Sequence, residues 1–390
     1  LPDGSLIFAS ELRALRCHPR APTTVDHVGL RRLFTYDFIP SPRTILQGVR
    51  KLEPGTVIHW QNGHLDAPHR YWRMPPKTDD LDARTAPPAL WKAIGDAVES
   101  RLVSDVPVGF FLSGGLDSTA VVAAAAERRD AASLDTFTVG FEDASFDESE
   151  PARAVARHFG TRHHETRLDE AAALNRVPEL GALLDEPLAD PSVLPMSLLA
   201  DFARKHVTVA LSGDGGDELF LGYPTFAAHA VAEAAARLPA ALREHLIRPL
   251  AHLIPVSDKN WSLDYQLKRF IDGLDHGAWE RHFVWIGGTA PRAHQALFEP
   301  AVLAAASREP LFADVDAAMK ETTGTDLDRL GQLYARLYLA DGVLQKVDRA
   351  TMRVALESRA PLLSTAVLSV AARIPATLKL RGLGPMARAK

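Results

Sequence analysis

The chain has 390 residues, of which 46% are hydrophobic and 24% charged, with a formal net charge of -5. These values fit an ordinary globular protein of two or three domains and argue against a general nucleic-acid binder, which would carry a basic surplus. No apolar run reaches about 18 residues, so no transmembrane helix is expected, and the single cysteine, Cys17, excludes an internal disulfide framework and suits a reducing cytoplasm.

The chain opens at Leu1 without a signal-peptide pattern and closes at Lys390 in a basic stretch, which reads as a piece cut at both ends. Residues 1 to about 74 read as β-rich, the tail of a larger domain. Asp3-Gly4 is a turn signal before Leu6-Ile7-Phe8-Ala9. Thr56-Val57-Ile58-His59-Trp60 alternates, and Asn62-Gly63 offers a hairpin turn. Residues 75–89, rich in Pro and Asp, read as a linker.

The pattern then changes. Residues 90–102 read as an amphipathic helix, and Val106-Pro107-Val108-Gly109-Phe110-Phe111-Leu112 as a buried strand. An Ala-rich helix follows at 118–129, a strand at 135–140, a helix at 150–159, a strand starting at 163 and a buried strand at 207–211. Strands alternating with helices predict an α/β parallel sheet built from right-handed crossovers. From about Tyr223 onward the chain reads as mainly helical.

Two strand ends carry the chemistry. The first is Ser113-Gly114-Gly115-Leu116-Asp117-Ser118, at a strand-to-helix junction. Free backbone N–H groups and the helix dipole suit such a junction to anions, and the glycines allow close approach. Asp117 would repel a phosphate unless Mg²⁺ stands between them. No Walker lysine is present. The second is Ser212-Gly213-Asp214-Gly215-Gly216-Asp217-Glu218-Leu219-Phe220-Leu221-Gly222-Tyr223. Strand ends of an open α/β sheet share one rim, so Asp117 and Asp217 are expected to share a Mg²⁺–phosphate site. His163-His164 on a strand would face opposite sides and not chelate together.

The Ser113–Ser118 loop resembles the pyrophosphate loop of the N-type ATP pyrophosphatases, and the Ser212–Tyr223 loop resembles the signature of the asparagine synthetase B family. The family's further elements have counterparts in Phe146-Asp147-Glu148, Asp185-Glu186-Pro187-Leu188-Ala189-Asp190-Pro191-Ser192, Lys346-Val347-Asp348-Arg349 and Glu357-Ser358-Arg359-Ala360-Pro361-Leu362-Leu363-Ser364. Three positions depart from it: Asp214 where the best-known bacterial enzyme has Glu, Leu362 where Phe is common, and Ser364 where Asp is common. β-Lactam synthetases share the fold.

The resemblance implies a parallel-sheet ATP pyrophosphatase domain over residues 90–390 with a helical C-terminal part, after residues 1–74 of an N-terminal-nucleophile glutaminase domain. It implies ATP and Mg²⁺ as cofactors. Asp214 and Tyr223 would be catalytic, with Lys390 the candidate for a catalytic lysine. Leu112, Ser113, Gly114, Gly115, Asp117, Ser118, Val139, Ser212, Gly213, Lys346 and Arg349 would bind ATP or pyrophosphate. Ser192 and Glu357 would contact substrate, and Asp117 and Asp217 the metal.

The reaction implied is ATP-dependent amidation of a carboxylate, most simply aspartate, with ammonia from glutamine. Two alternatives stay open: a ligase of the same fold acting on a sugar acid, peptide or β-lactam-type precursor, and a non-catalytic nucleotide-binding module. A homodimer is left open, and neither nucleic acid nor membrane is expected as a partner. Phe8-Ala9-Ser10-Glu11-Leu12-Arg13, Pro40-Ser41-Pro42-Arg43-Thr44-Ile45 and Leu52-Glu53-Pro54-Gly55 resemble the end of a class II glutaminase domain. The nucleophile of that family is an N-terminal cysteine. Cys17 is internal and reads as structural, so the chain by itself is expected to use only free ammonia.

Overall fold

A computed structural model describes residues 1, 3–257, 259–260, 262–381 and 388–389. Lys390 lies outside the described residues. No helix among those described is long and apolar enough to cross a membrane.

Five strands form one sheet: β1 (Val108–Phe111), β2 (Asp135–Phe141), β3 (Arg162–Leu168), β4 (Val209–Leu211) and β5 (Glu357–Arg359). Their order is β3-β2-β1-β4-β5 and every pairing is parallel. Successive side chains of a strand face opposite sides, so a strand covered on both sides needs a continuous apolar run. β1 shows this. Phe110 packs with Val209 and Leu211 of the loop-bearing neighbour β4 against α3 (Ala86–Arg101) and α4 (Leu116–Ala126). Phe111 faces the other side with Phe137 and Ala210, against α6 (Val193–Ala203); α5 (Ser149–Phe159) follows β2. Ala124 and Ala125 of α4 are fully buried, which lets that helix approach the sheet closely. Burying Phe110 and Phe137 contributes about 2 kcal/mol each.

The first segment differs from the expectation of β-structure. It contains the helices α1 (Leu12–Arg16) and α2 (His27–Tyr36), and its strands are two residues long. Asp26 starts α2 by accepting the Gly29 N–H at 2.9 Å, an N-cap that outweighs the strand-like composition around it. The Asn62-Gly63 hairpin is present, with Trp60 opposite Leu65 and both turn residues at positive φ. Cys17 is exposed at the end of α1.

This segment does not stand apart. Tyr36 and Phe38 are buried in the helical part with Phe226, Phe283, Leu330 and Tyr334. Asp185 accepts the N–H groups of Leu12 and Arg13 at the start of α1. Glu186 accepts the Ile45 N–H at 2.6 Å and pairs with Lys51 at 2.7 Å. Thus the loop after Leu183 grips the first segment at one end and leads into the site at the other.

Candidate active site

β1 and β4 are neighbours, so the loops that follow them leave one rim side by side. Their contact is intimate. A Cβ on Gly213 would lie 2.7 Å from Ser118 N, and one on Gly216 would lie 2.2 Å from Asp117 Cγ. The Asp117 carboxylate therefore rests on the backbone of the residue before Asp217. Gly114 is required for two reasons: its φ is +79°, and a Cβ there would meet the Ala152 nitrogen of α5 at 2.6 Å.

The first loop is held by its own hydroxyls. Ser113 Oγ and Ser118 Oγ are 3.1 Å apart, Gly115 N–H donates to Ser113 Oγ at 3.2 Å, and Ser118 Oγ donates to Gly115 O at 3.2 Å. Asp117 lies in the first turn of α4, where the dipole favours an anion. Leu112 is buried at the end of β1, its carbonyl accepting the Thr138 hydroxyl, and Val139 is half-buried on β2.

In the second loop, Ser212 Oγ donates to Asp214 Oδ2 at 2.6 Å. Burial raises the Asp214 pKa, opposed by that hydrogen bond and by the nearby Lys346 charge. Gly215 leads into α7 (Gly216–Phe220), whose first turn carries Asp217 and Glu218. Tyr223 donates to Glu218 Oε1 at 2.7 Å, and burial beside Glu218 raises the tyrosine pKa.

Glu218 is 2% exposed, and burial pushes its pKa up to about 7, with Tyr223 opposing and Asp217 and Asp214 adding to the rise. An ordinary glutamate sits near 4.5. Between those values the folded protein holds a proton that the unfolded chain has lost. The resulting stabilisation is full below pH 4.5 and is lost as pH rises through 7, by up to about 3 kcal/mol. Glu218→Gln keeps an acceptor for Tyr223 and cannot titrate. In metal-free buffer, the wild type is expected to lose thermal stability relative to Glu218→Gln as pH goes from 5 to 8. Parallel melting curves for the two would refute this.

The basic helix face is not free. α8 (Leu344–Met352) carries Lys346, which donates to Asp190 Oδ2 and Ser192 Oγ, both at 2.7 Å. Asp190 stays below the ordinary carboxylate pKa because Lys346 and Ser192 more than offset its burial. Arg349 instead pairs with Glu11 at 3.2 Å in the first segment, and Arg353 pairs with Asp201. Of the three cations, Lys346 is the one whose charge acts on Asp214.

Glu357 starts β5, opposite Val209 at the start of parallel β4, and pairs with Arg359 at 2.6 Å. His163 and His164 take separate partners, Thr136 and Asp135. Two of the three departures from the family pattern have structural roles: Ser364 caps its helix through the Val367 N–H, as Asp would, and Leu362 is a core residue.

A π-helical segment, Tyr334–Val343, was not expected from the sequence; on it the Tyr338 ring is 5.7 Å from that of Tyr223. Irregular helices of this kind are enriched at functional sites, but an apolar run such as Leu337-Tyr338-Leu339 gives no sign of one.

Among the described residues no three His, Cys, Asp or Glu side chains form a cage for a metal. Mg²⁺ does not need one, because it is usually held by one or two carboxylates with substrate phosphates and water. Asp117 and Asp217, beside a loop that only glycine can line, fit that mode.

The asparagine synthase family matches residues 89–388 and the glutamine amidotransferase domain matches residues 1–72. Asparagine synthetase [glutamine-hydrolyzing] 1 of Bacillus subtilis (strain 168) is 30% identical over 381 residues, 97% of this chain and 58% of that protein. A putative asparagine synthetase of Mycobacterium bovis is 32% identical over 92% of this chain and 54% of its own length. Amidase chyE of Penicillium rubens is 28% identical over 249 residues, 59% of this chain and 36% of that protein. The chain spans little more than half the length of the first two relatives.

Proposed function

The chain belongs to the asparagine synthase family, and on that premise we propose that it activates a carboxylate, most simply that of aspartate, by adenylation with ATP and passes the acyl group to ammonia released from glutamine. The observation that carries this reading is the contact between the two acidic loops at Asp117 and Gly216.

In the first step a carboxylate oxygen attacks the α-phosphorus and the bond to the β-phosphate breaks. The hydroxyls and N–H groups of Ser113, Gly114, Gly115 and Ser118 cradle the leaving pyrophosphate. Asp117 and Asp217 would hold Mg²⁺, which compensates the phosphate charge. Ser212 and Gly213 line the nucleotide, with Leu112 and Val139 on its base or ribose. Lys346 and Ser192 offer a cation and a hydroxyl to the acceptor. In the second step ammonia attacks the acyl carbon, AMP leaves, and Asp214 takes the proton. Its raised pKa makes it a better base than an ordinary carboxylate.

The name of Amidase chyE keeps a second acceptor class in play, since that relative is not called an asparagine synthetase. ATP–pyrophosphate exchange with aspartate, β-amino acids and sugar acids decides between them. Aspartate-dependent exchange is expected. Exchange with another acid alone would move the function to that substrate. Nucleotide binding with no exchange for any acid would leave only a binding module.

A further inference from the structure

Two elements bring the contacts around Lys346 together. Lys346 itself comes from α8, into which the π-helical segment Tyr334–Val343 runs without a break. Asp190 and Ser192 end the loop that follows Leu183. The same two elements meet a second time, at Lys51 of the first segment. Its ammonium lies 2.7 Å from Glu186 Oε2 in the loop and 3.7 Å from Asp341 Oδ1 on the π-helical segment. It also donates to the Ile39 carbonyl at 2.6 Å. The side chains of Lys51, Glu186 and Asp341 are only 15%, 6% and 5% exposed.

The two acids have no other use in their own part of the chain. Glu186 Oε1 accepts the Ile45 N–H at 2.6 Å, and Asp341 accepts the Ser41 N–H at 2.8 Å and the Ser41 hydroxyl at 2.7 Å. Among the described residues, every hydrogen bond and ion pair of these carboxylates thus comes from Ser41, Ile45 or Lys51. Buried like charges repel strongly, and removing the cation between them leaves both uncompensated. The path to the site is short. Four residues on from Glu186 stands Asp190, with Ala189 tied on the way by its N–H to the Asp37 carbonyl at 2.8 Å. About one and a half helical turns separate Asp341 from Lys346.

We propose that Lys51 is a positioning residue for the acceptor: it clamps the loop to the helix and so fixes Asp190 and Ser192 against Lys346. This rests on the adenylation reading above, in which Lys346 and Ser192 face the acceptor. A residue of the part matched by the glutamine amidotransferase domain then completes a site of the part matched by the asparagine synthase family.

Lys51→Met keeps the length of the side chain and removes its charge. In the full-length protein it is expected to raise the KM for aspartate in ATP–pyrophosphate exchange about tenfold, the weakening of one hydrogen bond to a charged group. The KM for ATP should change less than twofold. Glu186→Gln keeps an acceptor for the Ile45 N–H and should raise the aspartate KM about threefold; it decides the matter where Lys51→Met does not fold. An unchanged aspartate KM in the folded variant would overturn the proposal. So would equal rises in the KM values for aspartate and ATP, which is what a packing role alone produces. Where the unmutated protein exchanges with another acid, the KM of that acid is read instead. Absence of exchange with any acid would defeat the adenylation reading itself, and this inference with it.

Discussion

Gly216→Ala is expected to lower ATP–pyrophosphate exchange about a hundredfold while the protein stays folded. The new methyl would sit 2.2 Å from Asp117 Cγ and 2.3 Å from Oδ2, where carbon–carbon contact needs about 3.5 Å. The carboxylate must therefore move by more than 1 Å, and a displacement of that size at a reacting centre costs on the order of a hundredfold in rate. Folding should tolerate the change. Gly216 opens a helix at ordinary φ, and alanine favours a helix over glycine by about 1 kcal/mol. A melting temperature within a few degrees of wild type, with exchange lost, separates geometry from unfolding. Exchange at the wild-type rate would mean that Asp117 need not occupy its place against α7.

The second large effect is expected from charge alone. Asp117→Asn and Asp217→Asn keep the shape of each side chain and remove one negative charge. If both carboxylates hold one Mg²⁺, each variant should lose exchange by about a thousandfold, corresponding to about 4 kcal/mol of transition-state stabilisation. The apparent affinity for Mg²⁺ should fall in both. The double variant should lose little more than either single one, because two ligands of one ion act as a unit. Independent, multiplying losses would place the two carboxylates on separate tasks.

The parts of the site legible in the sequence were those written in local chemistry. Ser113–Ser118 and Ser212–Tyr223 each join an apolar strand to a helix through glycines and acids, so their place on one rim follows from the sheet. What could not be read there depends on long-range placement. Lys346 and Arg349 are three residues apart on one helix, yet one meets Asp190 and the other meets Glu11. Glu357 opens the matched element Glu357–Ser364, and only the pairing of β5 with β4 sets it opposite Val209. Asp26 capped a helix where composition suggested strands. Tyr338 gained its position from a π-helical turn that leaves no mark on the hydrophobic pattern.

A crystal structure of the full-length protein with Mg²⁺ and an ATP analogue that cannot be cleaved between the α and β phosphates tests the shared-rim account most directly. The account predicts one cation bound by Asp117 and Asp217, with the β and γ phosphates on the Ser113–Ser118 backbone. A nucleotide seated elsewhere, or a cation that touches neither aspartate, would contradict it.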